Sequence, residues 1–392
     1  MDRDLSGRDM LGTMNSAEAR LDDSGNVLIL LSGPADERLT KDFCGLVIGD
    51  PSLELPDLSR KTVYLCGDLA RAERLDLRAA ARVRAIRGHS QGGGDALERV
   101  DPGQVPERVH GLGVYFRRLF DPGVDHFRAI AAEHAFQALT ESNKPATAHR
   151  TGVYLTPVTR EGEDLRFRLL RCSSNLSGPT RTFRAPDVRI VDALNREAGF
   201  LFENHAPLNH VLAQVYPNTA ASAEQKQKKA KISAHADKTK DMPANGIMAF
   251  CTFYDRNATS GLTGLRFRLK APVAGLPDQF TLTLHPDSAY LMPLSTNRLY
   301  THEIVASSLD AALLPTRLGY VVRCSNREAV HRNGQTFLER EGELVPLEPP
   351  TPEGMTELRR LYAEENRTQA FIDYGDGFAF SMNQGDYLAP EC

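Results

Sequence analysis

The chain has 392 residues, of which 41% are hydrophobic and 25% are charged, and its formal net charge is −4. At roughly 100–200 residues per domain, this length predicts two domains, or one large domain with extensions. The composition excludes a disordered chain, a collagen and a coiled coil. The even balance of charges gives no global attraction to nucleic acid or to an anionic membrane, so any such contact has to come from a local patch.

The sequence contains no run of about 18 apolar residues, and we therefore expect no membrane span. Its six cysteines are scattered, without a C-x-x-C pair. This pattern argues against a structural zinc site or a disulfide framework, and it favours a reduced cytoplasmic setting, with the nucleus as the alternative.

Residues 1–104 are predicted to form a small α/β domain of unknown role. Asn26–Ser32 and Thr62–Cys66 are short apolar runs bounded by Gly and Pro, which is typical of buried strands. Asp68–Arg87 carries six arginines among Ala and Leu residues, and this composition predicts a helix. No chemistry follows from this region.

Residues 109–345 are predicted to form a second domain, and residues 346–392 a C-terminal helix and tail that follow a proline-rich break. An apolar segment, Val114–Phe120, precedes a predicted helix over residues 121–142. After residue 205 short strands separated by turn residues dominate, which is typical of a sandwich or a barrel. The eight predicted strands are Asn209–Tyr216, Ala230–His235, Gly246–Tyr254, Leu262–Leu269, Phe280–His285, Ala289–Met292, Tyr300–Val305 and Arg317–Cys324.

The end of the second of these strands carries the candidate chemistry. His235 and Asp237 are two residues apart, so an extended strand places both side chains on one face. An imidazole and a carboxylate suit ferrous iron, and a further histidine completes a two-His-one-carboxylate set with open positions for other ligands. His302 is a candidate because about four strands separate it from Asp237, enough for the chain to travel around a small barrel. The alternative is a core histidine.

An H-x-D triplet alone is weak evidence, and a second one occurs at His285-Pro-Asp287. His302 follows that triplet too closely for a barrel circuit. After His302 come Arg317 and Arg323, on one face of the last predicted strand. A buried arginine needs an acidic partner, which a dicarboxylate cosubstrate would supply through a bidentate contact. The alternative for both arginines is a solvated strand face.

On these residues, positions 109–345 resemble the AlkB-like branch of the Fe(II)/2-oxoglutarate dioxygenases, whose pattern is H-x-D, a distal His, and R-x-N-x-T-x-R. His235, Asp237 and His302 match the iron ligands, and Arg317 and Arg323 match the two arginines. Three further features are similar to the family: Arg298, four residues before the distal His, and Gln214 and Tyr216 in place of an N-x-Y element.

The resemblance implies an α+β protein with a double-stranded β-helix (jelly-roll) core and an N-terminal α/β extension. It implies Fe(II) bound by the three ligands, 2-oxoglutarate as cosubstrate and O2 as oxidant, for hydroxylation or oxidative demethylation. Arg317, Tyr216, Gln214, Arg298 and Arg323 would then serve the cosubstrate. The sequence departs from the pattern at Gly319 and Val321, which replace the Asn and Thr between the arginines, and at Gln214.

The substrate is less well indicated. Base-repair members carry an acidic residue two positions after the ligand Asp, where this chain has Thr239. The loop 223–240 holds six lysines, among them Lys226, Lys228 and Lys229, which a phosphate backbone would attract. A solvated hairpin tip is the plain alternative. Three hypotheses therefore stay open: an oxygenase acting on alkylated or methylated nucleic acid, an oxygenase acting on a protein side chain or a small metabolite, and a non-catalytic binding module.

Overall fold

The structure is a computed structural model, and it describes residues 18–32, 37–49, 55–92, 97–140, 147–170, 176–256, 260–375 and 377–392. These residues form a mixed α/β fold with many strands and few helices. Within the described ranges, no helix combines the length and the apolar character needed to cross a bilayer.

The N-terminal region contains a parallel sheet with the strand order β3 (Leu46–Ile48), β2 (Asn26–Leu30), β4 (Thr62–Asp68), β5 (Arg82–Gln91) and β6 (Glu98–Val100). The two strands predicted here are present as β2 and β4. The arginine-rich segment is not one continuous α-helix: it forms a short 3-10 helix, Leu69–Arg74, and its last residues belong to β5 (Arg82–Gln91). The elements are β1 (Arg20–Leu21), β2 (Asn26–Leu30), α1 (Glu37–Lys41), β3 (Leu46–Ile48), β4 (Thr62–Asp68), β5 (Arg82–Gln91) and β6 (Glu98–Val100).

Tertiary contacts explain why this helix prediction is wrong. Ala85 and Ile86 are fully buried in the sheet. The Arg82 guanidinium donates to the Glu197 carboxylate at 2.7 and 2.9 Å and lies 4.3 Å from the centre of the Phe200 ring. Burial and a specific ion pair therefore override the helix propensity of an Ala- and Arg-rich sequence.

The middle of the chain supplies two helices, which cover one face of the largest sheet of the protein. The helix predicted over 121–142 is shorter than expected: it starts where the Asp125 side chain accepts from the Arg128 amide at 2.9 Å, and the chain is extended again from His134. The elements are β7 (Glu107–Val109), β8 (Gly113–Phe116), α2 (His126–Glu133), β9 (Gln137–Thr140), β10 (Thr147–Thr156), β11 (Thr159–Glu161), β12 (Asp164–Leu169), β13 (Arg181–Thr182) and α3 (Ala185–Ala198).

The region after residue 200 is rich in strands, as predicted, and all eight predicted strands are confirmed within two residues at either end. A short helix, α4, was not expected, and the helix expected after residue 346 is α5. The elements are β14 (Phe202–Glu203), β15 (His210–Tyr216), β16 (Ile232–His235), β17 (Ile247–Tyr254), β18 (Gly264–Leu269), β19 (Gln279–Thr283), β20 (Ser288–Pro293), α4 (Leu294–Leu299), β21 (Tyr300–Val305), β22 (Arg317–Arg323), β23 (Arg327–Arg332), β24 (Gln335–Arg340), β25 (Glu343–Pro346) and α5 (Pro352–Arg367).

Two sheets pack face to face around the core that positions the site. The larger one has the order β13-β10-β15-β22-β17-β20-β8-β7, with β9 beside β10, and the smaller one has the order β16-β21-β18-β19. Between them, Met248 and Phe250 of the larger sheet pack against Phe267 and Tyr300 of the smaller one. Helices α2 and α3 cover the other face of the larger sheet. Every residue of β17 is buried because both faces of this strand are covered.

Candidate metal centre

The site lies where β16 ends against β21 in the smaller sheet. These strands are antiparallel, and their register pairs His235 directly with His302. The two imidazole ring centres are 4.5 Å apart. Asp237 follows β16 by two residues, and its carboxylate approaches both rings: the distance to its Oδ1 is 3.6 Å from His235 Nε2 and 3.9 Å from His302 Nε2.

These three side chains offer one ligand atom each, and the atoms lie within 4.8 Å of one another. In the part of the chain that the structure describes, no other group of three or more His, Cys, Asp or Glu residues meets this spacing. Residues 65 positions apart in sequence thus converge on one point. The arrangement can hold one metal ion through two nitrogens and one oxygen.

Both imidazoles turn Nε2 towards the Asp237 carboxylate. His235 Nδ1 donates to the carbonyl of Ser233 at 2.9 Å, and this hydrogen bond fixes the orientation of the ring. Burial lowers the pKa of His302 to about 3, and the neighbouring His235 acts in the same direction. The His302 ring is 5.1 Å from that of Phe250, and its Nδ1 is buried without a hydrogen-bond partner among the described residues.

Asp237 is held as a carboxylate by Arg323. Arg323 Nε and Nη2 lie 2.7 and 2.6 Å from Oδ2, so Oδ1 is the oxygen that faces the imidazoles. Burial by itself would raise the pKa of Asp237, but Arg323 and the two histidines hold it well below its usual value. The backbone is fixed too: Asn297 Nδ2 donates to the Asp237 carbonyl, and the Asp237 amide donates to Asn297 Oδ1, both at 2.9 Å. Sequence reasoning missed Asn297, although it lies five residues before His302.

Arg317 lies on the same strand as Arg323, and its situation is the opposite. Its side chain is buried, with only 3% of the residue exposed, and its guanidinium lies 4.2 Å from the centre of the Tyr216 ring. Among the described residues no carboxylate is within ion-pair distance of Arg317, and its Nε has no hydrogen-bond partner. The neighbouring Tyr216 hydroxyl donates to Gln214 Oε1 at 2.6 Å.

The pairing of β15 with β22 places Gly319 beside Arg317 and Tyr216. Gln214 lies opposite Gly319, and Tyr216 lies opposite Arg317. A Cβ atom at position 319 would come within 2.7 Å of Arg317 Nη1 and 3.2 Å of the Tyr216 ring. Glycine at this position therefore leaves room for the guanidinium.

Several residues predicted for the site have other partners. The guanidinium of Arg298 pairs with Glu18, at 3.2 Å between Nη2 and Oε2, because residues 294–299 form α4 instead of an extended approach to His302. The Thr239 hydroxyl donates to Glu365 Oε1. These two contacts support neither the cosubstrate role predicted for Arg298 nor the substrate role predicted for Thr239.

The lysine-rich loop is mostly exposed. Lys226 and Lys228 are exposed, and the backbone of Lys228 pairs with Thr219 through two 2.9 Å hydrogen bonds. Lys229 is half-buried because its Nζ donates to the carbonyl of Ser307 at 3.2 Å. The loop therefore has an exposed positive face, carried by Lys226 and Lys228.

Comparison with known proteins does not show the family of this chain. No protein-family model and no curated protein matches the sequence. A solved structure of OsALKBH1 aligns over 54% of this chain and 96% of its own length, at 13% identity and a TM-score of 0.35. A Pseudomonas putida prolyl-4-hydroxylase aligns over 51% of this chain and 82% of its own, at 12% identity and a TM-score of 0.29. Likeness at this level carries no argument, so a functional assignment has to stand on the geometry of the site.

Proposed function

We propose that the chain is an Fe(II)- and 2-oxoglutarate-dependent dioxygenase whose two facing sheets form a jelly-roll core behind an N-terminal α/β extension. One observation carries the proposal: His235, Asp237 and His302 converge on a single point, close to a strand that also carries a buried arginine without an acidic partner among the described residues.

The donor set fits ferrous iron. Two imidazoles and one carboxylate match the two-His-one-carboxylate triad, which leaves positions open for other ligands. His235 presents Nε2 because its Nδ1 is bound to Ser233, and Asp237 presents Oδ1 because its Oδ2 is bound to Arg323. Hydrogen bonds to the ligand atoms that do not face the metal orient such side chains and tune their basicity.

Arg317 fits a dicarboxylate. A buried guanidinium without a counter-charge is costly, and a carboxylate that meets it with two parallel hydrogen bonds relieves that cost. Tyr216 holds the flat face of the guanidinium, and Gln214 orients the Tyr216 hydroxyl. We assign Arg317 to the distal carboxylate of 2-oxoglutarate, with Tyr216 and Gln214 supporting it.

When bound, iron, O2 and 2-oxoglutarate supply an oxidation: one oxygen atom enters a C–H bond of the substrate, and the other enters the succinate that forms with loss of CO2. The chain's own residues set the geometry for this chemistry. Arg323 keeps Asp237 ionised and oriented, Phe250 packs against His302, and Arg317 anchors the cosubstrate. Hydroxylation of a methyl group bound to nitrogen would give a hemiaminal that releases formaldehyde and leaves an N–H group, so the net reaction on such a substrate would be demethylation.

For the substrate, the exposed Lys226 and Lys228 favour a polyanion, and alkylated or methylated nucleic acid is the candidate that fits this charge. A protein side chain or a small metabolite is the second candidate. A non-catalytic module on the same fold is the third, and it requires that the three ligands hold no iron.

The proposal is tested by anaerobic titration with Fe(II) or Mn(II), followed by an assay of succinate formed from 2-oxoglutarate. We expect one metal ion per chain and metal-dependent succinate formation.

Arg317→Ala should raise the requirement for 2-oxoglutarate about 10- to 100-fold, because the cosubstrate then has no charge-assisted hydrogen bond at its distal carboxylate. As a matched control, Arg332→Ala removes a surface arginine paired with Asp164 and should leave that requirement unchanged. Absence of stoichiometric metal binding would favour the non-catalytic module.

A further inference from the structure

The C-terminal helix α5 is attached to the metal site by polar contacts. Its apolar face forms a small cluster with the tail, around Leu358, Tyr362, Tyr374 and Phe380, and this cluster is distinct from the cores of the two large sheets. From α5, side chains and carbonyls reach residues 236–239, the segment that carries Asp237. The helix is far from this segment in sequence and adjacent to it in space.

These contacts satisfy backbone groups that the sheet leaves unpaired. Strand β16 ends at His235, so the amides that follow need other acceptors. The Ala236 amide donates to Asn366 Oδ1 at 2.6 Å, and the Thr239 amide donates to Glu365 Oε1 at 3.1 Å. The Asp237 amide between them is bound by Asn297. Asn297 of α4 therefore holds the Asp237 amide, and α5 holds the amides of Ala236 before it and Thr239 after it.

Glu365 is itself fixed in place. The residue is 5% exposed, and its Oε2 accepts from the Tyr374 hydroxyl at 2.6 Å. Its Oε1 accepts from both the hydroxyl and the amide of Thr239. Its carbonyl accepts from Lys270 Nζ at 2.7 Å. One turn earlier, the Tyr362 carbonyl accepts from Lys238 Nζ at 2.9 Å. The Glu365 side chain is buried and accepts from the Tyr374 hydroxyl and from the hydroxyl and amide of Thr239, so it is a rigid anchor.

We propose that Asn366 and Glu365 are positioning residues of the metal centre: they hold residues 236–239 so that Asp237 Oδ1 stays opposite the two Nε2 atoms. This inference rests on the proposed function. Metal ligands have to be held to a fraction of an ångström by the groups behind them. Arg323 holds the carboxylate end of Asp237, and α5 holds the backbone on which that carboxylate is carried.

The test measures Mn(II) affinity of the full-length protein by electron paramagnetic resonance, together with thermal unfolding of the metal-free protein. Asn366→Ala should weaken Mn(II) binding about 10-fold, as removal of groups that support metal ligands does. Thr239→Val removes the hydroxyl at nearly constant volume and should weaken binding in the same direction, whereas Thr239→Ser keeps a hydroxyl and should restore it. Arg360→Ala alters the exposed face of the same helix and is the matched control.

Unchanged Mn(II) affinity in Asn366→Ala and Thr239→Val would overturn the inference, even if both variants unfold at a lower temperature, because that result describes a purely structural helix. If Asn366→Ala does not fold, the Thr239 pair decides. Failure of the unmodified protein to bind Mn(II) would reject the proposed function itself, and this outcome is distinct from a loss confined to the α5 variants.

Discussion

Two H-x-D triplets occur in this chain, and the structure places them in different surroundings. His235-Ala-Asp237 ends a strand whose neighbour carries a third ligand candidate, His302. His285-Pro-Asp287 lies in the turn between β19 and β20, where Asp287 has a φ of +61° and its carbonyl accepts from the Leu119 amide at 2.8 Å. The same spacing thus brings two side chains beside a third ligand candidate in one place and forms a tight turn in the other. The strand beside the triplet decides between these outcomes.

The two aspartates also differ in charge. Burial opposes ionisation of both, but Arg323 bonds directly to Asp237 and holds its pKa well below the usual value. For Asp287, burial raises the pKa from 3.8 to about 6, and the more weakly acting Arg118 only partly opposes this rise. Asp237 therefore stays ionised to a lower pH than an ordinary aspartate, whereas Asp287 is partly protonated at mildly acidic pH.

The largest expected effect separates the triplets by metal binding. Asp237→Ala or His302→Ala should weaken Mn(II) binding by more than about 100-fold, beyond the effect of supporting residues, and should abolish succinate formation. His285→Ala and Asp287→Ala, the matched changes in the second triplet, should leave both unchanged. Equal effects in the two sets would show that the first triplet is not a metal site.

The two arginines of β22 extend the comparison to stability. Arg323→Met leaves the buried Asp237 charge without its partner and should cost about 3–5 kcal/mol in the free energy of unfolding. Arg317→Met removes a buried cation that has no acidic partner among the described residues, and it should be neutral or slightly stabilising without 2-oxoglutarate. Urea denaturation of the metal-free variants measures both. A similar loss of stability in each would contradict the contrast between a paired and an unpaired arginine.

Much of the strand region could be predicted because its signals are local. Alternation and turn residues mark strands such as β21, whose bounds agree with the prediction at both ends, Tyr300 and Val305. The convergence of His235 with His302 could be inferred because the number of intervening strands suits a closed circuit. Both inferences use only spacing and residue type.

The remainder depends on long-range contacts that spacing does not encode. Asn366 and Glu365 reach the site from about 130 residues away, in a helix that carries no motif. The sequence predicts a cosubstrate role for Arg298, whereas α4 brings this residue to Glu18, 280 residues away. The end of the helix predicted at Asp68–Arg87 is part of strand β5 because β5 pairs with β4 and Arg82 forms an ion pair with Glu197. In each case a tertiary partner overrode a local preference.

A smaller effect is expected at Asp287, with a sign that depends on pH. The pKa of Asp287 in the folded state, about 6, lies above its ordinary value of 3.8, so the folded protein binds more protons between these values. Its contribution to stability is fully present below pH 3.8 and is lost as the pH rises through 6. Asp287→Asn should therefore stabilise the protein by about 1 kcal/mol at pH 7.5, after allowance for solvent screening. Urea denaturation at pH 4 should show no gain, and an equal gain at both pH values would reject the electrostatic cause.

The smallest effect on folding, and the most informative about substrate, is expected in the loop that leads into the first triplet. Lys226→Glu combined with Lys228→Glu should change the free energy of unfolding by less than about 0.5 kcal/mol, because both side chains are exposed. Arg38→Glu with Lys41→Glu, on α1 and remote in sequence, is the matched double charge reversal. If the substrate is nucleic acid, only the first pair should weaken oligonucleotide binding, and it should reduce the slope of log affinity against log salt by about 2, one for each phosphate that a lysine no longer neutralises. Unchanged binding and turnover would show that the two lysines do not contact the substrate. This result would favour a peptide or a small metabolite over nucleic acid.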